Sequence, residues 1–122
     1  MTRSFHHRKL PNHSALLSGR LPTEVFSFQS HALQIWYNNT AKTWIDTPEP
    51  PHYHKDSDEI FLVFKGALHV EVDGQVHRIG EREFCCFPAG QLHSIVHLEV
   101  PVETLMIRAP SVEDKVYKEP YA

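Results

Sequence analysis

Two histidines and a glutamate stand close together near the middle of the 122-residue chain. His52 and His54 are two residues apart, so in an extended strand both imidazoles point to the same side. Glu59 follows the polar segment 55–58, which is typical of a turn and can return the carboxylate to that side. Divalent transition metals accept imidazole nitrogen and carboxylate oxygen as ligands. The spacing therefore predicts most of a metal site.

A fourth ligand is predicted in the second half of the chain. His93 comes just after the turn sequence Pro88-Ala89-Gly90, at the beginning of a predicted strand. Three imidazoles and one carboxylate leave coordination positions open for an oxygen atom or a chelating substrate. This donor set suits one divalent transition metal, Fe, Mn, Ni or Zn, as the cofactor.

Short apolar segments separated by turn signals must position these four residues. β-Branched and aromatic residues are frequent in them, and no long helical pattern occurs. The predicted strands cover 25–28, 31–37, 42–45, 60–64, 68–72, 75–79, 84–87, 92–98 and 102–108. So many short strands with regular turns indicate an all-β sandwich or barrel.

Two hairpins are predicted from their turn residues. Asn38-Asn39 separates an early pair of strands, and Asp73-Gly74 suits a two-residue type I′ turn between a later pair. In the register that the second turn sets, Val70 faces His77. His77 is therefore expected to be partly buried, with its ring hydrogen-bonded.

Composition narrows the class of protein and its partners. Hydrophobic residues make up 41% of the chain and charged residues 22%, as in ordinary globular proteins, and the length suits one domain. A net charge of -3 does not favour nucleic acid as a partner. No apolar run is long enough to cross a membrane, and no secretory signal is expected at the basic N-terminus.

The domain is expected to have two less regular ends. Residues 1–20 are predicted to form a partly ordered arm, 21–110 the barrel, and 111–122 a polar tail that runs over the surface. Cys85 and Cys86 are adjacent in a predicted strand, so they point to opposite faces and cannot readily form a disulfide. A reducing, cytoplasmic location fits this best. We expect both cysteines to act as small buried apolar residues, with a redox role as the alternative.

The spacing of the candidate ligands resembles two motifs of the cupin family. The first motif reads His-x-His, three or four residues, Glu, six residues, Gly, and His52, His54, Glu59 and Gly66 fit it. The second reads Gly, a short run, then Pro-x-Gly-x-x-His, and the segment from Gly80 to His93 fits it. The resemblance implies an all-β fold, a double-stranded β-helix or jelly-roll barrel. It also implies one metal, held by the four residues His52, His54, Glu59 and His93.

The resemblance is detailed over residues 46–97 and has three departures. Asp46 replaces the glycine that opens the first motif. The run between Gly80 and Pro88 is seven residues, which is slightly long. His97 replaces the asparagine that closes the second motif. The four ligand positions are intact, so the departures affect the subfamily rather than the site.

His97 is the candidate catalytic residue. In a regular strand that begins at His93, residues 93, 95 and 97 share a face, so His97 is expected to point into the barrel about 7 Å from His93. A histidine there can change its charge near neutral pH and act as a general acid–base or anchor a substrate. Two alternatives stay open: it replaces asparagine as a structural hydrogen-bonding group, or it is an extra ligand.

The resemblance leaves the reaction open, because cupins include dioxygenases, decarboxylases, isomerases and non-enzymatic binding domains. A metal-dependent enzyme that acts on a small metabolite is the first hypothesis, with dioxygenase-like chemistry placed before isomerase or decarboxylase chemistry. A non-catalytic domain that binds a small ligand is the alternative, and a structural cupin with an unused site is the third hypothesis.

The segment 60–64 also predicts an oligomer. It is apolar at successive positions, so both faces of that strand are expected to be covered. A single small barrel cannot cover the outer face, and a symmetric homodimer is the commonest way to do so.

Overall fold

Nine strands form the part of the chain that the computed structural model describes, which is residues 5–20, 26–42 and 49–118. No helix occurs within those three ranges. The strands are β1 (Ala15–Gly19), β2 (Phe28–Gln29), β3 (Gln34–Thr40), β4 (His52–His54), β5 (Asp58–Val72), β6 (Gln75–Ile79), β7 (Phe84–Phe87), β8 (Ser94–Ala109) and β9 (Lys115–Tyr117). The all-β jelly-roll prediction is confirmed.

Seven of the strands form one curved sheet and the other two form a small second sheet. The large sheet has the order β2-β1-β3-β8-β5-β6, with β7 paired to β5, and the small sheet pairs β4 with β9. The buried apolar core lies on the inner face of the large sheet and consists of Phe61, Val63, Leu68, Val70, Phe87, Leu98, Val102 and Met106. Burial of these side chains is the main favourable term that holds the curved sheet closed.

The two long strands β5 and β8 each replace a pair of predicted short strands. Gly66, which falls between the strands predicted at 60–64 and 68–72, instead lies inside β5 at a register shift opposite Pro101. Its φ is +75°, and an added Cβ would lie 2.4 Å from the carbonyl oxygens of Glu99 and Pro101. Only glycine fits this bend, which lets one continuous strand turn a corner of the barrel.

The Asp73-Gly74 hairpin has the predicted register, with Val70 opposite His77. His77, however, is exposed, because β6 is the last strand of the sheet and none of the described residues covers its side chain. The prediction that His77 is partly buried is therefore wrong.

The predicted turn at Asn38-Asn39 is also wrong. β3 continues through both residues to Thr40 and pairs with β8, where Asn38 lies opposite Thr104. The long pairing with β8 overrides the local turn preference of asparagine. The partner strand predicted at 42–45 falls almost entirely outside the described residues, and so does the beginning of the strand predicted at 25–28.

Both predicted ends contribute strands to the fold. β1, from the predicted arm, pairs with β3. β9, from the predicted tail, pairs antiparallel with β4, so that His52 lies opposite Tyr117 and His54 opposite Lys115. The predicted polar tail therefore contains a paired strand, and β9 supplies the backbone partners that the short strand β4 needs.

The outer face of β5 is only partly covered within one chain. Ile60 and Leu62 are half-buried, and Phe64 is 50% exposed. Phe84 of β7 lies opposite Leu62 and is 67% exposed. The expected cover on both faces is therefore absent from the described chain, and the homodimer stays a prediction. No helix long and apolar enough to cross a membrane is found in the described residues.

Candidate metal centre

The four predicted ligands meet at one point inside the barrel. One ligand atom from each of His52, His54, Glu59 and His93 lies within 4.8 Å of all the others, and all four residues are buried. β4 turns both of its histidines inward, and the turn after it returns Glu59 to the same side at the beginning of β5. His93 lies just before β8 and is bound to His52 by two backbone hydrogen bonds of 2.9 and 3.0 Å.

Each imidazole has an oxygen acceptor beside its Nδ1 atom. Nδ1 of His52 lies 3.0 Å from the carbonyl oxygen of Pro50, and Nδ1 of His93 lies 2.9 Å from that of Gln91. Nδ1 of His54 lies 3.3 Å from Oδ1 of Asp114. An oxygen cannot donate here, so Nδ1 of His52 and of His93 carries the proton and donates it. Nδ1 of His54 does the same in the tautomer in which it donates to Asp114, although it also lies 3.0 Å from Nη1 of Arg108. The Nε2 lone pairs of all three rings are then free to face the centre, which is the usual arrangement of metal-binding histidines.

The electrostatics of the site favour the forms that bind metal. Burial alone would raise the pKa of Glu59, but in the metal-free site the hydrogen bonds and charge of His54 and His93 outweigh it and lower that pKa to about 2; a bound cation would take the place of the Nε2 protons that this requires. Nε2 of His93 lies 3.0 Å from Oε1 of Glu59. Burial lowers the pKa of His52, so that its ring stays neutral at neutral pH. Glu59 is thus a carboxylate and His52 a neutral imidazole under ordinary conditions.

One buried nitrogen gives an independent test of whether a metal fits. Nε2 of His54 is buried and has no hydrogen-bond partner in the described part of the chain. It lies 3.4 Å from Oε2 of Glu59, without hydrogen-bond alignment. A buried polar atom without a partner is costly, and a cation at the centre would supply that partner. The donor set and this unpaired nitrogen both fit a divalent transition metal.

Two further residues beside the ligands, Asp114 and Arg108, were not predicted from the sequence. Asp114 accepts hydrogen bonds from the backbone N–H groups of Asp56 and Ser57 and from the hydroxyl of Ser57, at 2.7–2.9 Å. It thereby holds the turn between His54 and Glu59. Arg108 lies on β8 directly opposite Glu59. Strand alternation could have placed Arg108 inside, but no sequence signal links Asp114 to a histidine 60 residues earlier.

His97 does not point into the barrel. β8 has an extra residue between the pairs Val70–Ile95 and His69–His97, and this bulge reverses the alternation of faces. Ile95 faces the cavity, whereas His97 is exposed and its ring lies 5.1 Å from that of His69. The expectation that His93 and His97 share a face is wrong, and the catalytic role that depended on it has no structural support.

The two cysteines also lie on opposite faces, as predicted. Cys85 packs against the core, and its burial, together with Cys86, raises the pKa of its thiol to about 11. Cys86 is exposed, which corrects the expectation that both are buried. Both thiols are free.

A cavity of about 350 Å³ opens from the four ligands into the barrel. This volume is within the range of small-molecule sites, about 300–1,000 Å³. The four ligands, Arg108 and the Glu49–Lys115 ion pair form its polar end. Its other walls are mainly apolar and include Trp36, Phe61, Leu68, Ile95, Leu98, Val102 and Met106. The cavity can hold a molecule with one polar and one apolar part.

Comparison with known proteins agrees with this arrangement. The sequence profile of the cupin domain matches residues 45–108, which is more than half of the chain. An uncharacterized protein from Aquifex aeolicus (strain VF5) is 31% identical over 72 residues, which are 59% of this chain and 60% of that protein.

A solved structure with a similar fold is that of the DMSP lyase DddQ from Ruegeria pomeroyi DSS-3. It has a TM-score of 0.64 and 21% identity, over 89% of this chain and 52% of the lyase. The structure of KdgF from Halomonas sp. has a TM-score of 0.59 and 19% identity, over 82% and 79% of the two chains. At such low identities the likeness is one of fold. The chain spans only about half the length of the lyase and three fifths of the Aquifex protein.

Proposed function

This chain belongs to the cupin domain family, and we propose that it is a metal-dependent enzyme that acts on a small metabolite. The observation that carries the proposal is the set of three imidazoles, each anchored through Nδ1, which converge with a buried carboxylate at the polar end of a cavity. One divalent metal, Fe, Mn, Ni or Zn, would be held by His52, His54, Glu59 and His93. When bound, such an ion supplies Lewis-acid or redox chemistry to a substrate beside it.

The chain itself supplies orientation and exclusion of water. The apolar walls favour the apolar part of a metabolite, and they keep water away from the reacting part. Phe87 stacks on the ring of His93, with centroids 3.9 Å apart and planes 4° from parallel, and so fixes its orientation. Pro50, Gln91 and Asp114 hold the protons of the three imidazoles on Nδ1, away from the centre.

Dioxygenase-like chemistry stands first within this proposal, and isomerase or decarboxylase chemistry follows. The four residues would hold a metal with only four protein donors, and a redox metal held in this way would supply chemistry suited to oxygen and a small substrate. The likeness to DddQ supports none of the three, because proteins of one fold carry many reactions.

One observation favours a second candidate, a non-catalytic domain that binds a small ligand. Apart from the four ligands, the titratable groups that line the cavity in the described ranges are Glu49, Lys115 and Arg108. Glu49 and Lys115 are already paired at 2.6 Å, and an arginine does not exchange protons at neutral pH. A dedicated proton-transfer group is thus missing from the described lining, so any catalysis would rely on the metal.

The deciding experiment has two stages. Elemental analysis of protein purified without a histidine tag should find about one transition metal per chain, and a metal-free protein that also fails to bind added Fe, Mn, Ni or Zn would contradict the proposal. Oxygen consumption and product formation with a panel of small metabolites then separate the candidates. Turnover supports an enzyme, whereas saturable binding without turnover supports the binding domain.

A further inference from the structure

Arg108 is an inward-facing cation at the polar end of the cavity. On β8 the side chains of Val102, Thr104 and Met106 line the cavity, and Arg108 continues that row. Its neighbours across the sheet are Glu59 on β5 and Gln34 on β3. The side chain is only 11% exposed. A guanidinium so far from water needs acceptors for its five N–H groups.

The acceptors around Arg108 are fewer than its donors. Nη2 donates to the amide oxygen of Gln34 at 2.7 Å, in the amide orientation that also satisfies the indole of Trp36. Nε is buried and has no hydrogen-bond partner among residues 5–20, 26–42 and 49–118. The nearest carboxylate oxygens lie beyond hydrogen-bond distance, Glu59 at 3.8 Å from Nε and Asp114 at 3.9 Å from Nη1. These two contacts are ion pairs that lack hydrogen bonds.

The remaining contact of Arg108 conflicts with metal binding by His54. Nη1 lies 3.0 Å from Nδ1 of His54, a distance at which Nδ1 could accept a hydrogen bond. A His54 ring that binds metal through Nε2 carries its proton on Nδ1, where it donates to Asp114 and cannot accept from Arg108. In the metal-binding tautomer, therefore, both Nε and Nη1 of Arg108 lack an acceptor.

We propose that Arg108 binds the carboxylate of a small monoanionic ligand whose apolar body fills the rest of the cavity; this rests on the proposed metal centre. A carboxylate supplies the acceptors that the guanidinium lacks, in a geometry that arginine suits. The net charge of the site also favours an anionic ligand. With a divalent cation bound, the charges of Glu59, Asp114, Arg108 and the Glu49–Lys115 pair leave one net positive charge among the described residues.

The apolar walls select among carboxylates by the length of their aliphatic part. Phe61, Leu68, Leu98, Val102 and Met106 are among the apolar residues that line the cavity. Each methylene that moves from water into such a pocket should tighten binding about fourfold until the cavity is full. Acetate should therefore bind weakly and hexanoate more tightly, whereas hexanamide, which has the same chain and no charge, should bind poorly.

The test is calorimetric titration of zinc-loaded protein with acetate, butyrate, hexanoate and hexanamide. Zinc is chosen because it is redox-silent, so binding is measured without turnover. Arg108→Gln should weaken hexanoate binding at least tenfold while one zinc per chain is retained. Arg78→Gln is the matched control, because this exposed arginine is paired with Glu99 away from the cavity and its loss should change hexanoate binding less than twofold.

Each outcome decides the question. Equal hexanoate affinity in wild type and Arg108→Gln would show that Arg108 is only an internal counter-ion of Glu59 and Asp114 and would overturn the proposal. If zinc-loaded wild type binds no carboxylate at concentrations up to about 10 mM, the proposal for Arg108 is also overturned, while the proposed metal centre is unaffected. Failure of wild type to bind zinc, manganese, nickel or iron would instead overturn the proposed function. If Arg108→Gln does not fold, Arg108→Lys can be used instead. It keeps the charge but lacks the planar, paired N–H donors of the guanidinium, so it should still weaken hexanoate binding several-fold.

Discussion

Two clusters of histidine and glutamate lie on opposite sides of the large sheet. The inner cluster joins His52, His54 and His93 to Glu59. The outer cluster joins His69 and Arg78 to Glu99, and the ring of His97 lies against that of His69. The pKa of the glutamate is lowered to about 2 in both. Glu59 is only 7% exposed in its side chain, whereas Glu99 is 38% exposed. By residue types and the pKa of the glutamate alone, the two clusters would be equally good candidates for a metal site.

The difference lies in which lone pairs are already used. Glu99 accepts two hydrogen bonds from Arg78 at 2.6 and 2.9 Å and one from His69 at 2.6 Å, so its charge is neutralised in place. Glu59 has no guanidinium within hydrogen-bond distance, and Nε2 of His54 beside it has no partner within the described residues. Buried nitrogen and oxygen atoms whose lone pairs are not used in hydrogen bonds indicate a metal site. Exposed side chains that are already joined by ion pairs indicate a surface network.

Removal of one inner imidazole should have the largest effect. A four-ligand zinc site binds with about 12 kcal/mol, so His54→Ala should lose roughly a quarter of it and weaken zinc on the order of a hundredfold. His69→Ala in the outer cluster should leave zinc affinity unchanged. Competition titration against a chromophoric chelator measures both variants. Equal zinc affinity in His54→Ala and wild type would place the metal elsewhere.

The exposed apolar side chains on the outer face of the sheet, Phe64 and Phe84, should affect dimer formation rather than metal binding. If a second copy covers Phe84, then Phe84→Lys should weaken the dimer about 30-fold, as expected for a central interface residue. Val76→Lys is the control, since Val76 is 56% exposed on the edge strand β6. Light scattering at micromolar protein should give the mass of two chains for wild type and one for Phe84→Lys. A wild-type monomer at that concentration contradicts the predicted homodimer.

The alkylation rates of the two cysteines test which thiol is buried against the core and which is exposed on the outer face. Because burial raises the pKa of Cys85 to about 11, its thiolate is scarce at pH 8, and it should react with iodoacetamide about 20-fold more slowly than an ordinary thiol. Its rate should increase as the pH rises toward 11, since the thiolate fraction increases. Mass spectrometry of Cys86→Ser and Cys85→Ser isolates each thiol. Rapid labelling of Cys85 in Cys86→Ser at pH 8 would contradict its burial.

Asp114 should have a smaller effect on the metal than the ligands themselves. Asp114→Asn removes the charge that favours the Nδ1–H form of His54, and changes to such supporting groups weaken metal binding about tenfold. Glu99→Gln is the matched change on the outer face and should have no effect on zinc. The same chelator competition measures both. Identical zinc affinity in Asp114→Asn and wild type would mean that Asp114 only stabilises the turn 55–57.

His97→Asn should have the smallest effect of the series. His97 is exposed on the outer face and does not line the cavity, so zinc affinity and hexanoate binding should each change less than twofold. Calorimetry of the variant with both ligands measures this. A tenfold loss of hexanoate binding at full zinc content would return His97 to the site and contradict the orientation that the β8 bulge gives it.

The ligand set could be read from the sequence because it depends on local geometry. His52 and His54 share a strand face by alternation, and the turn after them brings Glu59 back within a few residues. The Asp73-Gly74 hairpin was predictable for the same reason, because its turn residues set the register. His93 was also a candidate from its turn sequence, and the resemblance to a family motif supported it, but only the bridge to His52 brings it to the centre.

Tertiary structure alone decided the features that depend on distant pairing. The bulge at Val96 arises where β8 must follow β5 around the barrel, and it sends His97 outward against the simple alternation. Asp114 reaches His54 only because β9 adds to the edge of β4, and no local pattern predicts pairing across 60 residues. Alternation and turn chemistry act within a few residues, whereas barrel closure is a property of the whole chain.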